Sequence, residues 1–349
     1  MQLMDVVTAY LYGSLDTNIY MRIPEGLKMP EVLKSKPHHI YSIKLKRSLY
    51  ELKQSGRMWY NRLSEYLTKE GFCNNQISPC SFIKMTESGF IIITMYVDDL
   101  NIIGSPEEIR QAVDYLKSEF EMKDLDTTKY CLDLQFKHSK DGILINQSNY
   151  IEKVLEHFHM DKAHPLSTPM GVRSLDVNKD LFRPEVSYLS AIGALMYLAN
   201  NTQPDITFLV ILLARYSSTP TKRDWNSLKH ILHYLHGTSD MGLNFERHKD
   251  AKETNLVGYA DVGYLFDPYK AISQFGYVLM YGGTAISWRS TKQTLVAISS
   301  NHAELIALYE TGRECVWLRS LTHYVLESCG LESIEKSPTV MHRSNQGWV

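Results

Sequence analysis

Two neighbouring aspartates, Asp98 and Asp99, sit between two apolar runs in residues 90–104, FIIITMYVDDLNIIG. Carboxylates at the tip of a buried strand pair are costly, because each charge resists leaving water. A bound divalent cation compensates such charges efficiently. A solvated Asp-Asp turn accounts for the pair equally well, since turns favour Asp. A third acid, Asp5, stands in a similar apolar setting, Leu3-Met4-Asp5-Val6-Val7. Three carboxylates on two strands lying side by side would hold two Mg²⁺ ions. That is the apparatus of in-line phosphoryl transfer, with one ion on the attacking oxygen and one on the leaving oxygen.

A second candidate pair lies far along the chain. Asp261 ends the apolar run 256–261, and Glu304 follows Ser299-Ser300-Asn301. Glu304 reads either as a capping-box partner of Asn301 or as a metal ligand facing Asp261.

The elements that would carry these residues follow from periodicity. Ile and Val density over 90–103 argues strand, and the polar residues between the runs make a hairpin or a bent strand. Residues 20–26 read as a strand stopped by Pro24 and Gly26. A polar loop spans 28–39. A helix is expected over 56–70, with Trp59, Leu63, Tyr66 and Leu67 on one face as core. Another spans 106–121, capped by Ser105 with acids in its first turn. Residues 130–138 and 142–147 form a second hairpin. From Tyr150 the pattern turns helical, with Ile151, Val154, Leu155 and Phe158 sharing a face. A loop-rich bridge spans 161–181, and helices follow over 188–199, 206–216 and 224–237. His230 and His233 have no suitably spaced third ligand, which argues against a metal site there. Strands at 256–261, 276–280 and 284–288 and a helix over 302–321 close the chain.

At 349 residues the chain exceeds one average domain, so two or three are expected. A hydrophobic content of 44% and a charged content of 22% are those of a globular protein. Net charge is −2 and the pI about 6.7, so total charge carries no signal for nucleic acid. Its distribution does. Residues 34, 36, 44, 46, 47, 53 and 57 are Lys or Arg, against the single acid Glu51 in that stretch. Such a face suits a phosphate backbone, or is simply solvated. The five cysteines are scattered without a CxxC pair, which reads as reduced thiols in an intracellular protein. No run is long enough to span a membrane, and no signal peptide opens the chain, so a membrane or secreted protein is not expected.

Longer motifs carry a family resemblance. MDVVTAYLYGSLDTNIYMRIPEG (4–26), KLKRSLYELKQSGRMWYNRL (44–63) and YVDDLNIIG (96–104) resemble the reverse transcriptase of copia-type long-terminal-repeat retrotransposon Pol polyproteins. ALMYLANNTQPDI (194–206) and AISWRSTKQTLVAISSNHAELIAL (285–308) are similar to that family's connection and ribonuclease H regions. The motifs run in family order over essentially the whole chain. The resemblance implies an α+β fold: a palm over 1–148, a helical thumb and connection over 149–242, and an α/β ribonuclease H-like domain over 243–349. It implies RNA-directed DNA synthesis with Mg²⁺ or Mn²⁺ from deoxynucleoside triphosphates, on an RNA template and DNA primer, with an RNA–DNA hybrid as the ribonuclease H substrate. Asp5, Asp98 and Asp99 would be the polymerase acids, with Asp5 and Asp98 on the metals. Asp261 and Glu304 would be the ribonuclease H metal ligands. Tyr96, Val97, Lys53 and Gln54 would meet primer, nucleotide or template. Lys44, Lys46, Arg47, Arg289 and Lys292 would meet nucleic-acid backbone.

The same resemblance marks departures. Glu51, Asp133, Gln203 and Ser344 stand where relatives tend to have Gly, Gly, Arg and Asp. Asp5 comes early for a palm preceded by fingers, and the final helix of a ribonuclease H is not in the sequence. The expectation is therefore a degenerate fragment. It would have a retained polymerase triad, missing fingers, a C-terminally truncated ribonuclease H-like domain and impaired activity. It would be cytoplasmic, as are the virus-like particles of intact elements, and could associate with intact Pol. The alternative is a non-catalytic remnant that binds nucleic acid or a partner through its basic face.

Overall fold

A computed structural model gives the structure of the protein and describes residues 1–28, 30, 38–170, 187–247, 255–265, 272–331 and 338–343. Most of the loop expected at 28–39, with Lys34 and Lys36, lies outside the described residues, as do the end of the 161–181 bridge and Ser344. The chain divides into two compact units, one of Met1–Thr128 with Tyr324–Glu332 and one of Lys129–His323 with Ser333–Val349.

The first unit is an antiparallel sheet with helices on one face. In chain order its elements are β1 (Gln2–Val6), β2 (Tyr20–Arg22), β3 (Ser42–Lys44), α1 (Ser55–Lys69), β4 (Cys73–Asn75), β5 (Ser78–Met85), β6 (Phe90–Tyr96), β7 (Asp99–Gly104), α2 (Pro106–Glu119) and β8 (Met122–Thr127). Six strands order as β4-β5-β6-β7-β1-β8, and β2 pairs separately with β3. The hairpin expected from the Ile-rich runs is β6–β7, closed by the Tyr96–Asp99 pair. Trp59, Leu63 and Leu67 of α1 and Ile109, Ala112, Val113 and Leu116 of α2 bury against Met4, Val6, Ile91, Ile93, Leu100 and Ile102. A strand's pleat alternates its side chains. Because Met4 and Val6 point into that core, Asp5 points to the other face. The helix starting at Pro106 is capped as expected, the Ser105 hydroxyl accepting from the Glu108 amide.

The second unit holds the remaining elements: β9 (Tyr130–Cys131), β10 (Leu134–His138), β11 (Gly142–Asn146), α3 (Ser148–His157), α4 (Tyr188–Asn201), α5 (Thr207–Ala214), α6 (Lys222–Gly237), β12 (Gly242–Glu246), β13 (Leu256–Gly263), β14 (Gln274–Tyr281), β15 (Thr284–Lys292), α7 (Ser300–Ser328) and β16 (Val340–Arg343). One sheet orders as β12-β11-β10-β9 and another as β15-β14-β13-β16. The expected hairpin is β10–β11, and β12 adds to its edge along 242–246. That pairing joins residues on both sides of the sequence-based bounds at 148 and 242. Helices α3 to α6 share one core containing Ile151, Leu155, Leu195, Val210 and Leu232. Helix α7 covers one face of the β13–β14 sheet, packing Ala307, Cys315 and Leu318 against Leu256, Phe275, Tyr277 and Leu279. In α6, His230 and His233 contact the carbonyls of Thr168 and His164 at 3.0 and 2.7 Å, a tether for the 164–168 segment.

Two departures noted in sequence fall on demanding backbone. Glu51 has φ 71°, and Asp133 has φ 54° beside Leu132 at 52°. Leu132 and Asp133 are the two loop residues between β9 and β10. Positive φ at both central residues is the signature of a type I′ hairpin turn, which favours glycine or Asn. A glycine at 51 enters the left-handed region without the steric penalty that Glu carries there. Glu51→Gly is therefore expected to stabilise the chain by about 0.5–1 kcal/mol, read as a higher urea midpoint with unchanged slope. A lower midpoint would show that the Glu51 side chain makes compensating contacts.

Candidate active site

Asp5 and Asp99 are opposite partners across the β1–β7 ladder, and Asp98 is the second residue of the two-residue turn before β7. On the other side of β1, Lys123 lies directly opposite Asp5, with its Nζ 3.7 Å from Asp5 Oδ2. Asp5 therefore has a carboxylate on one flank and an ammonium on the other. The three acids thus lie at one end of the sheet, Asp5 and Asp99 on the face away from the α1–α2 core.

The turn that presents Asp98 is fastened through its backbone. Trp59 Nε1 donates to the Val97 carbonyl at 2.6 Å, and the Val6 amide donates to the Asp98 carbonyl at 2.8 Å. Val97 has φ 57°, and Thr8, just beyond Asp5, has φ 54°. Both are β-branched, for which this conformation is a genuine outlier. Strain of this kind gathers where surrounding contacts over-determine the backbone.

Electrostatics mark the same corner. Burial, then the charges of Asp98 and Asp5, push the Asp99 carboxyl above its usual range. A carboxyl raised on folding makes the native state bind the extra proton. Stability from this group is therefore highest below the unfolded value and falls as pH rises through the folded one. Asp99→Asn is expected to raise the melting temperature at neutral pH and to flatten that descent. An unchanged melting temperature would show that Asp99 is already relieved by solvent. Burial also raises the Tyr50 hydroxyl, and Asp98, Tyr10 and Asp5 raise it further. The Tyr50 ring lies 4.7 Å from that of Tyr10. Tyr10, Tyr50, Trp59 and Lys123 all belong to this site. None was legible beforehand as a site residue, because tertiary packing and, for Lys123, strand pairing bring them to the acids, and spacing does not.

The remaining candidates of this unit lie on several elements. Tyr96 is 58% exposed, and Val97 is half-buried. Lys53 and Gln54 immediately precede α1, whose Ser55 hydroxyl holds the Leu49 carbonyl at 2.6 Å. Lys44, Lys46, Arg47 and Lys53 are exposed, and Arg57 lies 3.6 Å from Asp16.

The donor set is carboxylate oxygen, which suits a hard divalent cation. Among the described residues, no three His, Cys, Asp or Glu side chains are drawn together as a ready metal cage. Carboxylate crowding that raises Asp99 is what a cation would relieve, so these residues fit such an ion in chemistry.

In the second unit, Asp261 lines a cavity of about 570 Å³ with Tyr259, Trp288 and Arg289 of the sheet, Phe208 of α5 and His342. The pleat turns Asp261 to the side opposite Val262, which packs in the core under α7. Glu304 belongs to α7 and lies beyond its first turn. Asp261 is thus carried by the sheet and Glu304 by the helix that covers it. The capping alternative is corrected. Ser299 is the residue whose hydroxyl accepts the helix-start amide, from His302 at 3.1 Å, so Asn301 and Glu304 do not form the box. Arg289 is exposed and Lys292 half-buried on β15.

A mixed α/β domain carrying an Asp5–Asp98–Asp99 corner is the class of a reverse transcriptase. The family model described as reverse transcriptase (RNA-dependent DNA polymerase) matches residues 1–172. The retrovirus-related Pol polyprotein from transposon TNT 1-94 of Nicotiana tabacum is 35% identical over 95% of this chain and 25% of its own length. That from transposon RE2 of Arabidopsis thaliana is 32% identical over 99% of this chain and 23% of its own length. The putative transposon Ty5-1 protein YCL074W of Saccharomyces cerevisiae is 28% identical over 89% of this chain and all of its own length. Residues 1–172 belong to the reverse transcriptase family, and the chain over most of its length is homologous to copia-type retrotransposon Pol polyproteins. It spans about a quarter of the length of the two plant relatives.

Proposed function

We propose that this chain is the palm, thumb and ribonuclease H-like portion of such a Pol, acting inside the cell in RNA-directed DNA synthesis. The observation that carries the reading is the pairing of Asp5 with Asp99 across β1–β7, with Asp98 in the adjoining turn. Asp5 and Asp98 would hold Mg²⁺ or Mn²⁺, and Asp99 supports Asp98 beside the primer end. The cations, when bound, would neutralise charge on the transferred phosphoryl group and lower the pKa of the attacking 3′-hydroxyl. Tyr96 and Val97 line the primer side, and Lys53 and Gln54 lie under nucleotide and template. Lys44, Lys46 and Arg47 bear on nucleic-acid backbone, and Arg289 and Lys292 on the phosphates of an RNA–DNA hybrid.

The activity is impaired in this copy. Left-handed backbone under Glu51 and Asp133 supports that reading, because each side chain adds bulk and charge where glycine fits freely. Hybrid cleavage is expected to be close to nil, since Ser344 stands where relatives tend to have the third acid. Primer extension on an RNA template is the direct test. Extension is expected with Mg²⁺ or Mn²⁺ and is lost on chelation. No extension under either cation would overturn catalysis and leave the second reading, a non-catalytic binder. The exposed Lys44, Lys46, Arg47 and Lys53 favour that reading in turn. For it, the logarithm of the affinity for primer–template duplex falls linearly with the logarithm of salt concentration.

A further inference from the structure

The polymerase reading leaves one buried side chain unexplained. Trp59 is 1% exposed and lies in the core under the sheet. Tryptophan carries a large apolar surface, most of which a Phe ring would also supply. What the indole adds over Phe or Leu is a hydrogen-bond donor. That donor reaches out of the core to the Val97 carbonyl at 2.6 Å. Val97 is the turn residue at φ 57°, and the next carbonyl, of Asp98, is held by the Val6 amide at 2.8 Å. Consecutive carbonyls of the turn are thus tied from two elements, α1 and β1. The Asp98 side chain is left out of both bonds. A β-branched residue keeps a left-handed conformation only where its surroundings impose it. The indole N–H is one of the two bonds that impose it here.

We propose that Trp59 is a positioning residue: its indole N–H holds the strained Val97 turn so that the carboxylates of Asp98 and Asp99 stand at fixed places beside Asp5. The proposal rests on the polymerase reading for its consequence in catalysis, but not for its consequence in the turn. The ring itself is wedged edge-on against Phe120 at 5.3 Å and lies 6.0 Å from Tyr12. Trp59→Phe therefore keeps aromatic packing and deletes the donor. Replacing the indole with a benzothiophene, sulfur for N–H, deletes the donor with the shape conserved and serves if the Phe variant folds poorly.

Hydrogen–deuterium exchange of the 97–100 amides in the full chain decides the matter. Loss of the tie is expected to speed exchange in the turn by about tenfold, with α2 and β5 unchanged. In a Val97→Gly background, where φ near 57° carries no strain, the same change at Trp59 is expected to have a much smaller effect, a coupling that a merely structural role would not produce. Primer extension supplies the second readout: kcat falls about tenfold or more while KM for nucleotide stays within twofold, as for an interaction felt in the transition state. Turn exchange that is unchanged in both Trp59 variants would overturn the proposal. Faster turn exchange in a chain that never extends a primer would sustain it and sink the polymerase reading alone.

Discussion

The Asp98→Ala/Asp99→Ala double variant is expected to lose primer extension by about 10³-fold or more, as when groups that act together at a reaction centre are removed. The fold is expected to survive. The bond that fastens this stretch to β1 runs from the Val6 amide to the Asp98 carbonyl, which is backbone and remains in the variant. Asp99 is raised by burial and by its two acidic neighbours, so removing both charges relieves repulsion in the native state. Stability at neutral pH should therefore hold or rise as activity vanishes, the opposite of what a structural lesion does. Extension time courses beside melting curves separate the two. Extension within tenfold of the parent chain would mean that these carboxylates do not carry the chemistry.

How much of this site was legible in the sequence depends on what kind of information each residue needs. The acids were legible because a charge inside an apolar strand run is locally anomalous. Ile91, Ile93, Leu100 and Ile102 mark the strands by composition, and their burial follows. The partner of each acid was not legible. Asp5 opposes Asp99 and Lys123 because β1 inserts between β7 and β8, a long-range register that no local pattern specifies. Tyr50 and Tyr10 converge through the packing of two non-strand segments, which is equally long-range. The departure at Glu51 could be noted from the motif, but its physical meaning lies in a φ of 71°. The Asp261–Glu304 pairing shows the converse. Each residue was assigned to the right kind of element, a strand and the helix after it. Whether their side chains converge depends on the pleat of β13, where Val262 packs against the core that α7 covers. Strand parity shifts with a single residue of register, so motif order alone cannot fix it.

Phe120→Ala is expected to cost the chain about 3–5 kcal/mol, the range for an aromatic removed from a packed core. Phe120 is 1% exposed and closes α2. Three rings meet it edge-on, Tyr12 at 5.2 Å and Trp59 and Tyr66 at 5.3 Å each. The Arg62 guanidinium lies over its face at 5.3 Å. Such pairs add stabilisation beyond their area. The void would not collapse easily, because its walls come from α1, α2 and the segment before β2. The next residue, Glu121, accepts from the Val7 amide at 2.9 Å and donates its own amide to the Tyr12 hydroxyl at 2.8 Å. Phe120 thus stands between the helical core and the strand that carries Asp5. Urea unfolding followed by tryptophan fluorescence measures the loss, with the Trp59 environment changing in the native baseline. Below the unfolding midpoint, extension should fall further than the folded fraction does, because Trp59 loses the wall that aims its N–H at Val97. Activity that tracks the folded fraction alone would show that the turn holds its shape without that wall, and the aromatic cluster would then be a matter of stability only.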